Sequence, residues 1–294
     1  MRVKHQKNFA VAPLGAGASA IVYIVDDNIV LKAPKVFEQL PKEASAFDKA
    51  DLQFTALISY EDLEHERQIF QQLPAHDNIV KVVALRHPEG IYLQRHEPLP
   101  ARIRREPPSD SKKRGWYLDI VRALKHMHDV SLVHADVRIA NLLCNADDRL
   151  ILCDFALSDK FGADNPAADD LDGTLNINGP FEIVSDVTDR FALASVIFEL
   201  ETGQKPTITW PSGNIHLPQV RTGSEKLDTI ILRGWHSSYS STGEMLKDIE
   251  ILQNHNNSIN SRKLIECTVD KTNPRFADWR SGRIQEFGGL PAPF

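Results

Sequence analysis

The sequence predicts an α+β chain in two parts, a small strand-rich part followed by a larger, mainly helical one. Short β-branched runs crowd the first third, from about Phe9 to Gln94. Helical periodicity dominates after Trp116. Between them, Glu97 to Ser111 holds Pro98, Pro100, Pro107 and Pro108 and no sustained period, so it reads as a loop at the boundary.

Taken in order, Ala20–Val25 and Ile29–Ala33 read as strands around the turn signal Asp26-Asp27-Asn28. The stretch from Lys35 to Tyr60 has no clear assignment of its own. From Asp51 to Leu73 the pattern is helical, because Leu63, Ile69, Phe70 and Leu73 can share a face. Ile79–Leu85 and Gly90–Gln94 read as two further strands. Trp116–Val130 reads as an amphipathic helix, with Ile120, Leu124 and Met127 spaced by four and three. Phe191–Leu200 reads as a buried helix. Past Asn254 the chain turns polar, and its end, GGLPAPF, is expected to be loosely held.

Composition narrows the function. Apolar residues make up 42% and charged residues 25%, which is ordinary globular chemistry, and the net charge of -6 does not favour nucleic acid as a partner. Cys144, Cys153 and Cys267 have no CxxC spacing, so neither a disulfide framework nor a zinc site is expected. The opening MRVKHQKNFA lacks an apolar signal core, and no apolar run reaches the roughly 18 residues of a membrane span. A soluble, intracellular protein with no membrane partner is expected.

Four segments carry candidate chemistry. Leu14 to Val22 holds Gly15 and Gly17 between strands, where backbone amides can approach phosphate oxygens closely. Lys32 sits inside the apolar run Ile29–Ala33, 15 residues after Gly17. An ammonium there needs a carboxylate to hold it. Glu66 is the candidate, beside the face of Ile69 and Leu73; Glu64 competes from a different face. In Val133–Leu143, Asp136 is followed five residues later by Asn141. In Ile151–Ala156, Asp154 follows an apolar strand-like run. A carboxylate and an amide together suit Mg²⁺, a hard cation that takes oxygen ligands and shares phosphates.

These segments, in this order, resemble the eukaryotic protein-kinase superfamily from about Phe9 to Leu252. HADVRIANLL is similar to the catalytic-loop pattern HRDxxxxN, and CDFA to the metal-binding DFG, with the two aspartates 18 residues apart. Asp189–Gly203 resembles the long buried helix whose leading Asp braces the catalytic loop, and Gly234-Trp235 and the stretch to Leu252 resemble the last helices. HADVRxxN with FALAS is similar to divergent fungal protein-kinase-like proteins. The resemblance implies a bilobal protein-kinase fold, with an N-lobe over 9–96, a C-lobe over 97–255 and a tail over 256–294. It implies ATP and Mg²⁺ as cofactors and a protein as substrate. By the same resemblance, Gly15 and Gly17 cover the phosphates, and Lys32 contacts them and pairs with Glu66. Asp136 positions the acceptor hydroxyl, Arg138 keeps a charge near the transferring phosphate, and Asn141 and Asp154 hold Mg²⁺. Val22 and the neighbourhood of Ala33 roof the adenine, and Leu93 to His96 form the hinge.

The chain departs from the family pattern at five places. Ala20 stands where a third glycine is common, which stiffens the loop slightly. Ala135 replaces the Arg that normally binds an activation-segment phosphate, so phosphorylation at Thr174 or Ser158 is not expected to be required, unless another base such as Arg190 takes over. Arg138 replaces a Lys. Ala156 replaces the Gly of DFG, and its Cβ restricts φ. No clear APE is present, because Pro180-Phe181-Glu182 lies only seven residues before Asp189. Three functions fit: an active kinase of Ser/Thr type, a pseudokinase serving as a nucleotide-binding or scaffolding module, and a small-molecule phosphotransferase.

Overall fold

The computed structural model describes residues 13–17, 20–35, 45–167, 174–211 and 214–254. Ala18, Ser19, Cys267 and the tail expected over 256–294 lie outside the described residues. A first compact unit ends at Ile249 and a second begins at Glu250; of the second, residues 250–254 are described and are helical.

The first part is a five-stranded antiparallel sheet with one long helix. In chain order come β1 (Pro13–Ala16), β2 (Ala20–Ile24), β3 (Ile29–Pro34), α1 (Ala46–Gln72), β4 (Val82–His87) and β5 (Gly90–Gln94), and the sheet order is β1-β2-β3-β5-β4. The Asp26 carboxylate closes the β2–β3 turn by accepting the Asn28 and Ile29 N–H groups at 2.7 and 2.8 Å. Side chains alternate across a strand with period two. Ile21, Tyr23, Leu31 and Ala33 therefore pack together on one face. Val22, Val30 and Lys32 fall on the other.

Two boundaries differ from the sequence reading. Helix α1 starts at Ala46, five residues before Asp51, where Ser45 accepts a hydrogen bond from Asp48 N–H. Its first turns gave no helical period because Phe47 and Phe54 point into solvent rather than along a core stripe. Strand β4 begins at Val82, and Ile79 instead makes an isolated parallel bridge to Leu152.

Gly90 opens β5 with φ of 154°, and a Cβ there would lie 2.1 Å from the Lys32 carbonyl oxygen. Backbone strain and overpacking then act together, each worth about 1–3 kcal/mol. Gly90→Ala is expected to lower stability by on the order of 3 kcal/mol, read from the urea midpoint. An unchanged midpoint would show that the β3–β5 approach is looser than this geometry.

The second part is mainly helical. It contains β6 (Glu97–Pro98), α2 (Leu99–Arg105), α3 (Asp110–His128), β7 (Leu132–Val133), a 3₁₀ turn at Ile139–Asn141, β8 (Leu142–Cys144), β9 (Leu150–Leu152), β10 (Asp159–Lys160), α4 (Asp186–Thr202) and α5 (Glu225–Trp235), with residues 242–249 again helical. The expectation of a loop over Glu97–Ser111 is corrected. Pro98 caps α2 and Pro100 sits in its first turn, where a missing N–H costs nothing. Helix α3 starts at Asp110 under a Ser109 cap, six residues before Trp116. Trp116, Tyr117, Ile120, Leu124 and Met127 are fully buried, and Val121 and Ala123 with them, so α3 is a core helix rather than a half-exposed one.

Helix α4 begins at Asp186, ahead of the expected Asp189, because Ser185 and Thr188 form a reciprocal cap. It ends on left-handed Gly203. Helix α5 packs on it closely: a Cβ on Gly234 would lie 2.6 Å from the Ala194 Cβ, and Trp235 Nε1 donates to Ser195 Oγ at 2.9 Å. Cys144 and Cys153 are free thiols. Among the described residues, no helix is long and apolar enough to cross a membrane.

Candidate active site

Lys32 is the centre of the site. Strand alternation turns it away from Leu31 and Ala33 and toward the gap between the sheet and the helical part. Its Nζ lies 2.6 Å from Glu66 Oε2 and 2.7 Å from Asp154 Oδ1. Burial disfavours the ammonium, but the two carboxylates more than offset that, and its pKa is held above the usual lysine value. Glu64 points elsewhere and pairs with Arg67 at 3.0 Å. Glu66 Oε1 accepts the Phe155 N–H at 3.0 Å, so one buried carboxylate fixes both Lys32 and the residue after Asp154. The Phe155 ring is fully buried, with its centroid 5.0 Å from Phe70 and 5.2 Å from His134. An aromatic column thus links α1 to the loop that carries Asp136.

That loop hangs on Asp189. Its Oδ2 accepts the His134 N–H at 2.8 Å and faces His128 Nε2 at 2.9 Å; its Oδ1 accepts the Ala135 N–H at 2.9 Å. Ala135 is buried with φ of 59°, a left-handed position for a non-glycine residue. Asn141 Nδ2 donates to Asp136 O at 2.9 Å and to Asp136 Oδ2 at 2.6 Å. Arg138 Nε lies 3.2 Å from the same carboxylate. Burial pushes the Asp136 pKa up, against the pull of Arg138, His134 and Asn141. Asn141 O accepts the Cys153 N–H at 3.1 Å, which brings Asn141 beside the strand end that carries Asp154. Burial opposes ionisation of Asp154, but Lys32 wins and holds its pKa below the usual value.

The departure at Ala156 has a simple resolution. The left-handed residue is Asp154, with φ of 67°, and Ala156 is not among the positive-φ residues. Its Cβ therefore meets no conformational penalty here.

Above these groups lies a cavity of about 390 Å³, lined by Gly15, Gly17, Val22, Leu93, His96, Arg138, Asn141 and Asp154 among others. A Cβ on Gly15 would meet nothing within 4 Å, so this glycine relieves no crowding inside the protein; it leaves room above the cavity. The expected apolar roof needs one correction. Val30, two residues before Lys32 and on its face, lines the cavity, whereas Ala33 packs on the opposite side of the sheet. Counting by two from Lys32 finds Val30, and Val80 and Leu143 join it from distant segments that no local pattern connects. A larger cavity of about 900 Å³ is lined by Arg102, Arg105, Glu97 and Asp148. Its two arginines next to these carboxylates are already paired, Arg102 with Asp148 at 2.8 Å and Arg105 with Glu97 at 2.7 Å. It also holds none of Lys32, Asn141 or Asp154, all of which line the smaller cavity, so the smaller one is the candidate site; Asp136 lines neither and is joined to it through Asn141 and Arg138.

The segment before α4 is packed rather than charged. Glu182 is exposed and, among the described residues, makes no ion pair, whereas Phe181 packs edge-on to Phe191 at 6.4 Å. Ser158 is fully buried and donates to His134 O, which removes it as an accessible phosphate acceptor. Arg190 is also buried, held by Asp186, Thr242 and the Tyr239 carbonyl, and is not a spare phosphate ligand.

The sheet-and-helix first part, the helical second part and the cleft residues together define a bilobal protein-kinase fold. The model of the protein kinase domain family matches residues 11–272, and the chain belongs to that family. It is 26% identical over 102 residues to the serine/threonine-protein kinase sck1 of Schizosaccharomyces pombe, covering 33% of this chain and 15% of that protein. It is 30% identical over 152 residues to extracellular signal-regulated kinase 2 of Dictyostelium discoideum, covering 49% of this chain and 38% of that protein. It is 30% identical over 95 residues to human ribosomal protein S6 kinase alpha-4, covering 30% and 12%. The matches thus span well under half the length of each of these relatives.

Proposed function

We propose that this chain is an active protein kinase of Ser/Thr type, transferring the ATP γ-phosphoryl group to a protein hydroxyl. The observation that carries the reading is the Lys32 ammonium held between Glu66 and Asp154, in the same cavity as Asn141, whose amide in turn holds Asp136. A purely scaffolding module has no need of that buried charge cluster, because packed apolar residues of similar volume are often as stabilising as a buried ion pair. The Ser/Thr assignment draws on the relatives' names and on Arg138, which keeps a positive charge beside Asp136.

The donor set fits Mg²⁺. Among the described residues no cluster of three or more His, Cys, Asp or Glu could hold a metal alone. Mg²⁺ usually takes only one or two protein oxygens and shares the rest with phosphates and water. The Asp154 carboxylate and the Asn141 amide oxygen would hold it, and the bound ion neutralises charge on the phosphates. Lys32 meets the α- and β-phosphates, Gly15 and Gly17 let the backbone close over them, and Leu93 to His96 read the adenine edge. Asp136 orients the acceptor hydroxyl and takes its proton. Catalysis is then mostly positioning and charge neutralisation.

Binding only to the native state stabilises it by about 2.7 kcal/mol at a hundredfold excess over Kd. Mg-ATP is expected to raise the melting temperature of the wild type clearly, ATP with chelator to do so much less, and Asp154→Ala to abolish the Mg²⁺-dependent part. No shift under any condition would defeat the nucleotide reading and favour a scaffolding module.

A further inference from the structure

The turn that presents Asp136 is gripped on both sides of Ala135. On one side Asp189 accepts the Ala135 N–H at 2.9 Å. On the other, the Asn178 side-chain amide donates to the Ala135 carbonyl at 2.9 Å. Asn178 is fully buried. Its Nδ2 also donates to Asn165 Oδ1 at 2.9 Å, and Asn165 in turn donates from Nδ2 to the Phe181 carbonyl at 2.8 Å and from its backbone N–H to the Glu182 carbonyl at 2.8 Å. The next residue, Gly179, adopts φ of 80°, and a Cβ on it would lie 3.0 Å from the Phe191 ring, so the backbone that aims Asn178 is itself fixed against α4.

Asn178 Oδ1 is buried and, among the described residues, has no hydrogen-bond partner. A buried acceptor left unmade is a cost that an apolar side chain of similar shape would avoid. The return on that cost is the pair of N–H donations, one of which reaches the residue directly before Asp136. Ala135 needs such a grip, because a non-glycine residue does not hold a left-handed turn unless its surroundings over-determine it.

From this geometry we propose that Asn178 is a positioning residue for transfer. Its neutral amide holds the turn before Asp136 in working shape, so the loop needs no activation-segment phosphate. The inference rests on the proposed kinase activity. Asn178 does not line the nucleotide cavity, so its loss should act on turnover and spare ATP binding. The contact is uncharged and already made, Ala135 offers no guanidinium, Arg190 is engaged elsewhere and Ser158 is sealed. Each observation points to a segment set by packing.

The test measures kcat, KM for ATP and the Mg-ATP melting shift for wild type, Asn178→Asp, Asn178→Ala and Asp136→Asn. Asn178→Asp keeps the shape and removes both donations. The expected result is a tenfold or larger fall in kcat for both Asn178 variants, with KM for ATP and the melting shift within twofold of wild type. Phosphatase treatment should leave the wild-type rate unchanged. The proposal is overturned if the Asn178 variants keep kcat within twofold, if turnover and ATP binding fall together, if both variants fail to fold, or if phosphatase removes the wild-type rate. Wild type that transfers no phosphate above the Asp136→Asn background defeats the kinase reading itself. Active wild type with unaffected Asn178 variants defeats only the inference.

Discussion

Asp136→Asn is expected to lower kcat about a hundredfold or more, on the order of 3 kcal/mol, while leaving Mg-ATP affinity nearly unchanged. The reason is where the carboxylate points. Asp136 is tied to Asn141 and Arg138, not to the Lys32 cluster that would meet the phosphates. In the proposed reaction it acts on the acceptor hydroxyl, so its contribution would belong to the transition state. In the same proposal Lys32 and Asp154 would meet phosphate and metal in the ground state too, and their loss should weaken binding and turnover together. The Asn replacement is nearly isosteric and its oxygen can still accept from Asn141, so folding is preserved while the base is gone.

The same residue gives a pH signature. A base must be deprotonated to work, and burial raises the Asp136 pKa above its ordinary value of 3.8. The proposed transfer activity is therefore expected to fall as pH drops through that raised value, earlier than an exposed Asp would lose it. Single-turnover rates measured across the acid range report this limb. Transfer at wild-type rate by Asp136→Asn on several protein substrates would remove Asp136 from the role.

Much of this site could be read from the sequence, because its residues stand in short segments at fixed spacing. Lys32 could be paired with Glu66 rather than Glu64 because helix geometry separates the two faces, and the structure puts the pair 2.6 Å apart. What could not be read depends on contacts between distant segments. Val80 and Leu143 join the cavity through folding alone. Asn178 reads locally as an ordinary loop residue; its importance comes from a carbonyl 43 positions earlier. The start of α1 was hidden because Phe47 and Phe54 place apolar groups in solvent, against the usual pattern. Helix α2 was hidden because its prolines mark a helix start as readily as a loop.

Asp189→Ala is expected to have the largest effect on stability, on the order of 3–5 kcal/mol, a large share of a typical domain's total. The carboxylate is fully buried and takes hydrogen bonds from His134 N–H and Ala135 N–H, with His128 beside it. Alanine strands two buried backbone donors, each worth about 1–3 kcal/mol when unmet. It also releases the turn that presents Asp136. Asp189→Asn should cost less, since its one oxygen can satisfy one of the two donors. The sign of the pH dependence follows from the carboxyl. Burial alone would raise its pKa, but His128 and the backbone donor at His134 outweigh that, and the folded value lies below the ordinary one. A depressed carboxylate pKa gives stability that is present above the unfolded value and lost as pH falls through the folded one. The gap in stability between wild type and Asp189→Ala should therefore be full at pH 7 and narrow at pH values below about 3.9. Urea unfolding at several pH values measures both. A gap under about 1 kcal/mol at pH 7 would mean that the loop donors find other partners. A gap that widens with acid would mean that Asp189 is protonated in the native state and that the bracing described here is not ionic.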